Sequence, residues 1–295
     1  MHTFRQACRE TAKLFGSQRR LWIPFIAVAV LEALLVGVVW LAPFPPFSTL
    51  LAPPIRYFYG ERVLHYPWHL WLLFHAMKHT HLIASTLLGA FLSGAVCLMV
   101  RQAHQGRPIS LRAALVAKQV RYGAVTISWV LSWAIARGLI EAIGTFAPKQ
   151  PWVLWVMIGV SILLQSLLAY VIPAIVFNGA TWWRAFFESV RETIRYPLST
   201  IGLVIVPSAA VLLFAIGMSE NRLMQWMGQS APEIAVALVA ARLVVWTVTD
   251  AALTVAIAHL WLLHRVPKAA PASARATAGA PKARVSVVKE GSAVA

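Results

Sequence analysis

Residues 65 to 82 read HYPWHLWLLFHAMKHTHL and carry five histidines, His65, His69, His75, His79 and His81. Imidazole nitrogens bind zinc together with carboxylate or thiolate partners, three or four ligands at a time. Glu61 lies just upstream and completes such a set on paper. His65 with His69, and His75 with His79, are four residues apart, the spacing that puts two side chains on one helical face. Pro67 interrupts the first pair, and the HExxH spacing of zinc hydrolases is absent. Three chemistries fit: a structural zinc, a catalytic zinc, or a collar of rings at a membrane surface with no cofactor. The collar reading draws on Tyr57, Phe58, Tyr59, Tyr66, Trp68, Trp71 and Phe74, because such rings favour the headgroup level.

A second set of chemically able residues lies inside long apolar runs. Glu32 falls near the middle of the run 22–42, Arg137 and Glu141 in 121–143, and Arg242 and Asp250 in 234–263. Ionisable groups in a bilayer are costly and face a bundle interior, paired or lining water. Arg137 and Glu141 are one helical turn apart and can pair within their helix. If 121–143 runs outward and 234–263 inward, Arg137 and Arg242 share a depth, with Glu32 and Asp250 near the centre. The expectation is a polar core in which Arg137 and Arg242 face Glu32, Glu141 and Asp250. Such a core binds an anionic headgroup or small anion, relays protons, or only fixes helix packing.

The elements that must hold these residues follow from composition. Of 295 residues, 59% are hydrophobic and only 12% are charged, against about a quarter charged in soluble domains. Apolar runs at 22–42, 82–100, 121–143, 152–177, 198–218 and 234–263 are each long enough to cross a bilayer. An all-α, polytopic membrane bundle of six transmembrane helices is therefore expected over residues 1–265, with the first run a retained anchor. Residues 266–295, rich in Ala, Pro, Ser and Lys, read as a disordered basic tail. Pro207, in GLVIVPSAA, should bend the fifth span, and the proline-rich stretch from 43 reads as an irregular outer loop. Cys8 and Cys97 supply neither a disulfide framework nor a thiolate cluster.

The net charge of +16 is unevenly spread. Most of the 26 Lys and Arg lie before the first run, at 101–121, at 178–197 and in the tail, while the other loops hold Arg56, Arg62, Lys78, Lys149 and Arg222. Short basic loops stay on the cytoplasmic side, which puts both termini there. The same charges suit anionic phospholipids, at roughly 1 kcal/mol per basic residue near the surface, and not nucleic acid. Basic amphipathic helices are expected at 3–15, 106–122 and 181–197, before spans one, three and five. The match of ACRET at 7–11 to SVRET at 189–193 points to a repeat of one surface helix plus two spans.

GRPISLRAAL at 106–115 and IPAIVFNGATWWRAFFESVR at 172–191, each following a predicted span, resemble elements of a group of bacterial six-helix inner-membrane proteins. That group is similar to the membrane domain associated with glycerophosphodiester phosphodiesterases. The likeness covers roughly residues 3 to 265 and implies the six-helix inner-membrane fold. It does not imply phosphodiesterase activity, since the catalytic domain is absent, and Asn178 stands where the group commonly has an acidic residue. With no GxSxG, phosphate loop or HExxH motif, the expected function is non-enzymatic: a lipid-associated scaffold or a partner of another membrane protein, or a homo-oligomer. The alternative is a small transporter or lipid-handling protein that uses the buried charged core.

Overall fold

In the computed structural model the described residues are 2–117, 120–146, 150–219 and 233–265. The tail from 266, Arg222 and Lys149 lie outside them. The described residues form α-helices throughout: α1 (His2–Ser17), α2 (Ile23–Trp40), α3 (Phe47–Tyr59), α4 (Trp68–Ala84), α5 (Ala90–His104), α6 (Leu111–Val116), α7 (Tyr122–Phe146), α8 (Pro151–Leu168), α9 (Val171–Asn178), α10 (Trp182–Arg195), α11 (Pro197–Ser219) and α12 (Ile234–Arg265). This is a helical membrane bundle. Five stretches are long and apolar enough to cross a bilayer: Arg19–Trp40, His79–His104, Tyr122–Phe146, Trp152–Asn178 and Ile234–His264. A sixth is counted if Trp182–Arg195 and Pro197–Leu212, bent 102° against each other, make one broken span.

The core is built from the inner ends of three alternate spans. Ala95 to Val100 of α5, Val171 and Ala174 to Val176 of α9, and Val255 to Ala258 with Leu260 to Leu262 of α12 are buried together. Small residues let these backbones approach closely. Gly94 marks the tightest point, where an added Cβ would lie 2.9 Å from Val120 Cγ1. Three short segments lay a small side chain against this hub. Ala7 of α1, Ala114 of α6 and Ser189 of α10 are fully buried, and Phe4, Leu111 and Phe186, each three residues earlier, pack on the same core. The ACRET and SVRET similarity thus extends in three dimensions to a middle copy that the sequence alone matches poorly. α6 packs on α5, α10 on α9 and α8, and α1 on α12 and α11, so the arrangement closes on itself.

The break between α8 and α9 has a chemical cause. Pro173 has no N–H to donate to the carbonyl four residues earlier, and the helix is interrupted at Ala169 and Tyr170. Side chains of α10 satisfy the freed groups. Ser189 Oγ donates to the Leu167 carbonyl at 2.6 Å and accepts from the Tyr170 N–H at 3.0 Å, and Thr193 Oγ1 donates to the Ser166 carbonyl at 2.7 Å. These two hydroxyls are the outer letters of SVRET.

Several expectations need correction. The proline-rich segment is not irregular: Phe47–Tyr59 is helical with Pro53 and Pro54 inside it. The second apolar stretch begins at His79 and not at 82, and α4, which starts directly after Pro67, runs into it and carries His79 and His81 inside. The element expected over 106–122 is only a short helix from Leu111 to Val116, capped by Ser110 Oγ, which accepts from the Ala113 N–H at 3.3 Å. Pro207 lies inside α11, and Ser208 Oγ beside it donates across to Gln165 Oε1 of α8 at 3.2 Å.

An intramembrane cavity as the candidate functional site

Three helices bring ionisable groups to one place inside the bundle. α2 contributes Glu32 from its middle, α4 contributes His81 near its end, and α12 contributes Arg242, Trp246, Asp250 and Thr254 at every fourth residue, one continuous face of a helix. His81 Nδ1 lies 3.1 Å from Glu32 Oε2. Glu32 is 2% exposed, and its Oε1 has no hydrogen-bond partner among the described residues. A carboxylate only accepts, so the His81 tautomer that bonds it carries its proton on Nδ1 and leaves Nε2 free to take another.

Trp246 organises the other side of the imidazole. Its ring centroid is 4.1 Å from that of His81, and the Arg242 guanidinium carbon sits 4.3 Å from the Trp246 ring centre, a cation–π arrangement. Arg242 and Asp250 both lie within electrostatic reach of His81. This cluster faces a cavity of about 240 Å³ lined by Glu32, His81, Asp250, Ser85, Ser93, Thr247 and Thr254, with Phe25, Trp129 and Trp246 as its aromatic wall. At about 30 Å³ per water, that is room for about eight waters or one small solute. A second cavity of about 560 Å³ shares His81, Trp246 and Asp250 and continues along Gln165, Ser161, Ser208, Thr249 and Pro207. The three shared side chains form the partition between the two cavities, the second of which is walled mainly by apolar side chains such as Ile158, Ile162, Ile205 and Leu212.

The helix wall beside this partition is irregular. Ser85 to Gly89 form one π-helical turn directly after α4, with the Ala90 N–H bonded to the Ser85 carbonyl, and both Ser85 and Gly89 line the first cavity. Such turns insert one residue into a helix and recur at functional sites. Here the insertion re-aims the helix face between His81 and the hub residues of α5.

The remaining residues singled out from sequence lie elsewhere. Arg137 and Glu141 form an ion pair with each other on α7, both substantially exposed, and neither lines the cavity. His65 lies 3.8 Å from Glu61, which also holds Arg56 at 2.5 Å. His69 is buried against the rings of Tyr66 and Phe44 at centroid distances of 5.9 and 6.5 Å. That burial pushes its pKa below the usual imidazole range, against an opposing hydrogen bond to the His65 backbone. His79 is exposed, and the side chain of His75 lies outside the described ones. Among the described residues no group of three or more His, Cys, Asp or Glu is placed to hold a metal ion. His81, read as the last member of a surface cluster, is turned inward to Glu32.

The sequence did contain a signal for that turn. Leu70, Leu73, Met77 and Ala84 are buried at helical spacing, a stripe that continues through 81 into the apolar run. A buried carboxylate at Glu32, the more exposed one of Asp250, an imidazole, hydroxyls and aromatic rings around one cavity suit binding of a small cationic or protonatable solute and exchange of a proton. Comparison with known protein families, curated proteins and solved structures finds no match to this chain.

Proposed function

We propose that this multi-span membrane protein is non-enzymatic and works as a small transporter, passing a polar solute through the paired cavities. The observation that carries the reading is the partition: His81, Trp246 and Asp250 line both cavities at once, and Glu32 from a third helix bonds His81 inside the first. Ionisable residues at such depth mark ion and substrate pathways. The two carboxylates argue for a cationic cargo and against an anionic headgroup in the cavity. The basic character of α1 and α10 supports a bacterial inner-membrane setting with both termini cytoplasmic.

The test needs no ligand. In a Cys8→Ser, Cys97→Ala background, Ser93→Cys samples the first cavity and Ser208→Cys the second. A membrane-impermeant charged thiol reagent should label one position from each side of reconstituted vesicles. Failure to label either position would mean sealed, static packing and would remove the transport reading.

A second reading rests on α10. Its buried residues are Ala185, Ser189, Glu192 and Thr193, while Trp182, Trp183, Phe187 and Ile194 face outward beside Arg184, Arg191 and Arg195. A helix with that division suits a bilayer surface rich in anionic phospholipid, and it favours a lipid-associated scaffold, alone, as a homo-oligomer or with another membrane protein. Native mass spectra that retain anionic lipid in the parent but not in Arg184→Gln, Arg191→Gln, Arg195→Gln would support it.

A further inference from the structure

From the charge count and the wall chemistry of the first cavity we infer that its cargo is a small organic ammonium ion, bound in exchange for one proton at His81. The inference rests on the transport reading and names its substrate class. When both carboxylates of the cavity wall, Glu32 and Asp250, are ionised they supply two negative charges, and Arg242, which stacks on the wall residue Trp246 and does not itself line the cavity, supplies one positive charge beside it. A neutral His81 leaves one negative charge uncompensated, which one monovalent cation balances. A protonated His81 balances it without a ligand. Cation and proton are alternative partners of the same charge: the proton arrives at His81 Nε2 as the cation leaves, and no bond in the cargo changes.

The shape of the site selects the kind of cation. Glu32 lines the cavity, is almost wholly buried, and has an Oε1 with no hydrogen-bond partner among the described residues, a buried acceptor that calls for a donor or a positive charge. Facing it are Phe25, Trp129 and Trp246, whose ring faces attract ammonium groups. The chain's own Arg242 already demonstrates that attraction at Trp246. The volume of about 240 Å³ is several times that of a single water, so a bare metal ion would leave most of it empty. Among the described residues, the charged groups facing His81 that enter this balance are Glu32 from α2, and Arg242 and Asp250 from α12. The turn preceding α4 adds none, because Glu61 is engaged with Arg56 and Arg62 with Trp68.

The full-length protein in lipid nanodiscs should be titrated calorimetrically with tetramethylammonium, methylammonium and sodium chlorides at pH 8 and at pH 5.5. The organic ammonium ions should bind at pH 8, and affinity should fall by up to about tenfold for each pH unit below the His81 titration, the slope of one proton excluding one cation. Glu32→Gln and Asp250→Asn should each weaken binding at least about tenfold, and His81→Gln should flatten the pH dependence. Arg137→Gln, which lies away from the cavity, should bind as the parent does. Absence of organic ammonium binding at pH 8 by folded protein overturns the inference. So does a site that prefers sodium, or binding that persists in the Glu32→Gln, Asp250→Asn double variant while that variant remains monodisperse. Cysteine labelling of both cavities without ammonium binding removes this inference alone. Ammonium binding without labelling removes the transport reading and leaves a binding site.

Discussion

Replacing His81 with Leu separates a cluster that matters energetically from a chance proximity. Glu32 Oε2 bonds His81 and Oε1 bonds nothing described, so the substitution strands a carboxylate that is 2% exposed. Removing one partner of a buried ion pair costs about 3–5 kcal/mol when water is excluded. The His81 side chain is 29% exposed, so cavity water offsets part of this and a loss of about 2–3 kcal/mol is expected. Glu32→Leu alone should cost less, about 1 kcal/mol, because it leaves a neutral imidazole at a wet wall. The double variant Glu32→Leu, His81→Leu should return to within about 1 kcal/mol of the parent, since an apolar pair replaces the polar one without an orphan. The resulting coupling is about 2 kcal/mol. Denaturant unfolding in mixed micelles, followed by tryptophan fluorescence, measures all four proteins. A coupling at or below about 0.6 kcal/mol, the average for hydrogen bonds between membrane helices, would refute the view that these helices are organised around this pair.

Ser189→Ala removes a hydroxyl that bonds both the Tyr170 N–H and the Leu167 carbonyl at the α8–α9 break; a loss of about 2 kcal/mol is expected in the same unfolding assay, and Ser189→Thr should recover part of it. Gly94→Ala forces a Cβ to within 2.9 Å of Val120 Cγ1, and thermal unfolding should show a loss of about 1–3 kcal/mol from overpacking. Burial lowers the pKa of His69, so the stability this residue contributes is complete above its unfolded value of about 6.5 and is lost as the pH falls through the lower folded value. His69→Phe should remove that acid-sensitive component from melting curves recorded against pH. Arg137→Gln should change stability by no more than about 0.5 kcal/mol, because its partner on α7 is exposed.

Hydropathy made the helical membrane fold legible, and the mid-run position of Glu32 pointed to the interior without aid from contacts, whereas Asp250, also mid-run, is exposed and lines the cavities. The intrahelical pairing of Arg137 with Glu141 also followed from spacing. Their supposed meeting with Arg242 did not follow, because depth along a span says nothing about which way a helix is rotated. His81 was missed for a different reason. An apolar window ends where histidines begin, so the span was cut at 82 and the residue that touches Glu32 was left in a loop. The buried stripe of Leu70, Leu73 and Met77 carries the correction, but only when periodicity is followed across the apparent boundary. The part played by Trp246 had no local signal at all, since nothing in one helix states which ring of another it will meet.

The packing of α1 on α12 and α11 has a consequence for the order of assembly. The face of α1 that holds Ala7 and Thr11 emerges early in synthesis, whereas its docking partners α11 and α12 follow far later in the chain. Until then α1 must wait on the membrane surface, held by its own amphipathic character. A chain arrested before residue 234 would therefore lack the α12 surface on which α1 packs and leave that face of α1 uncovered.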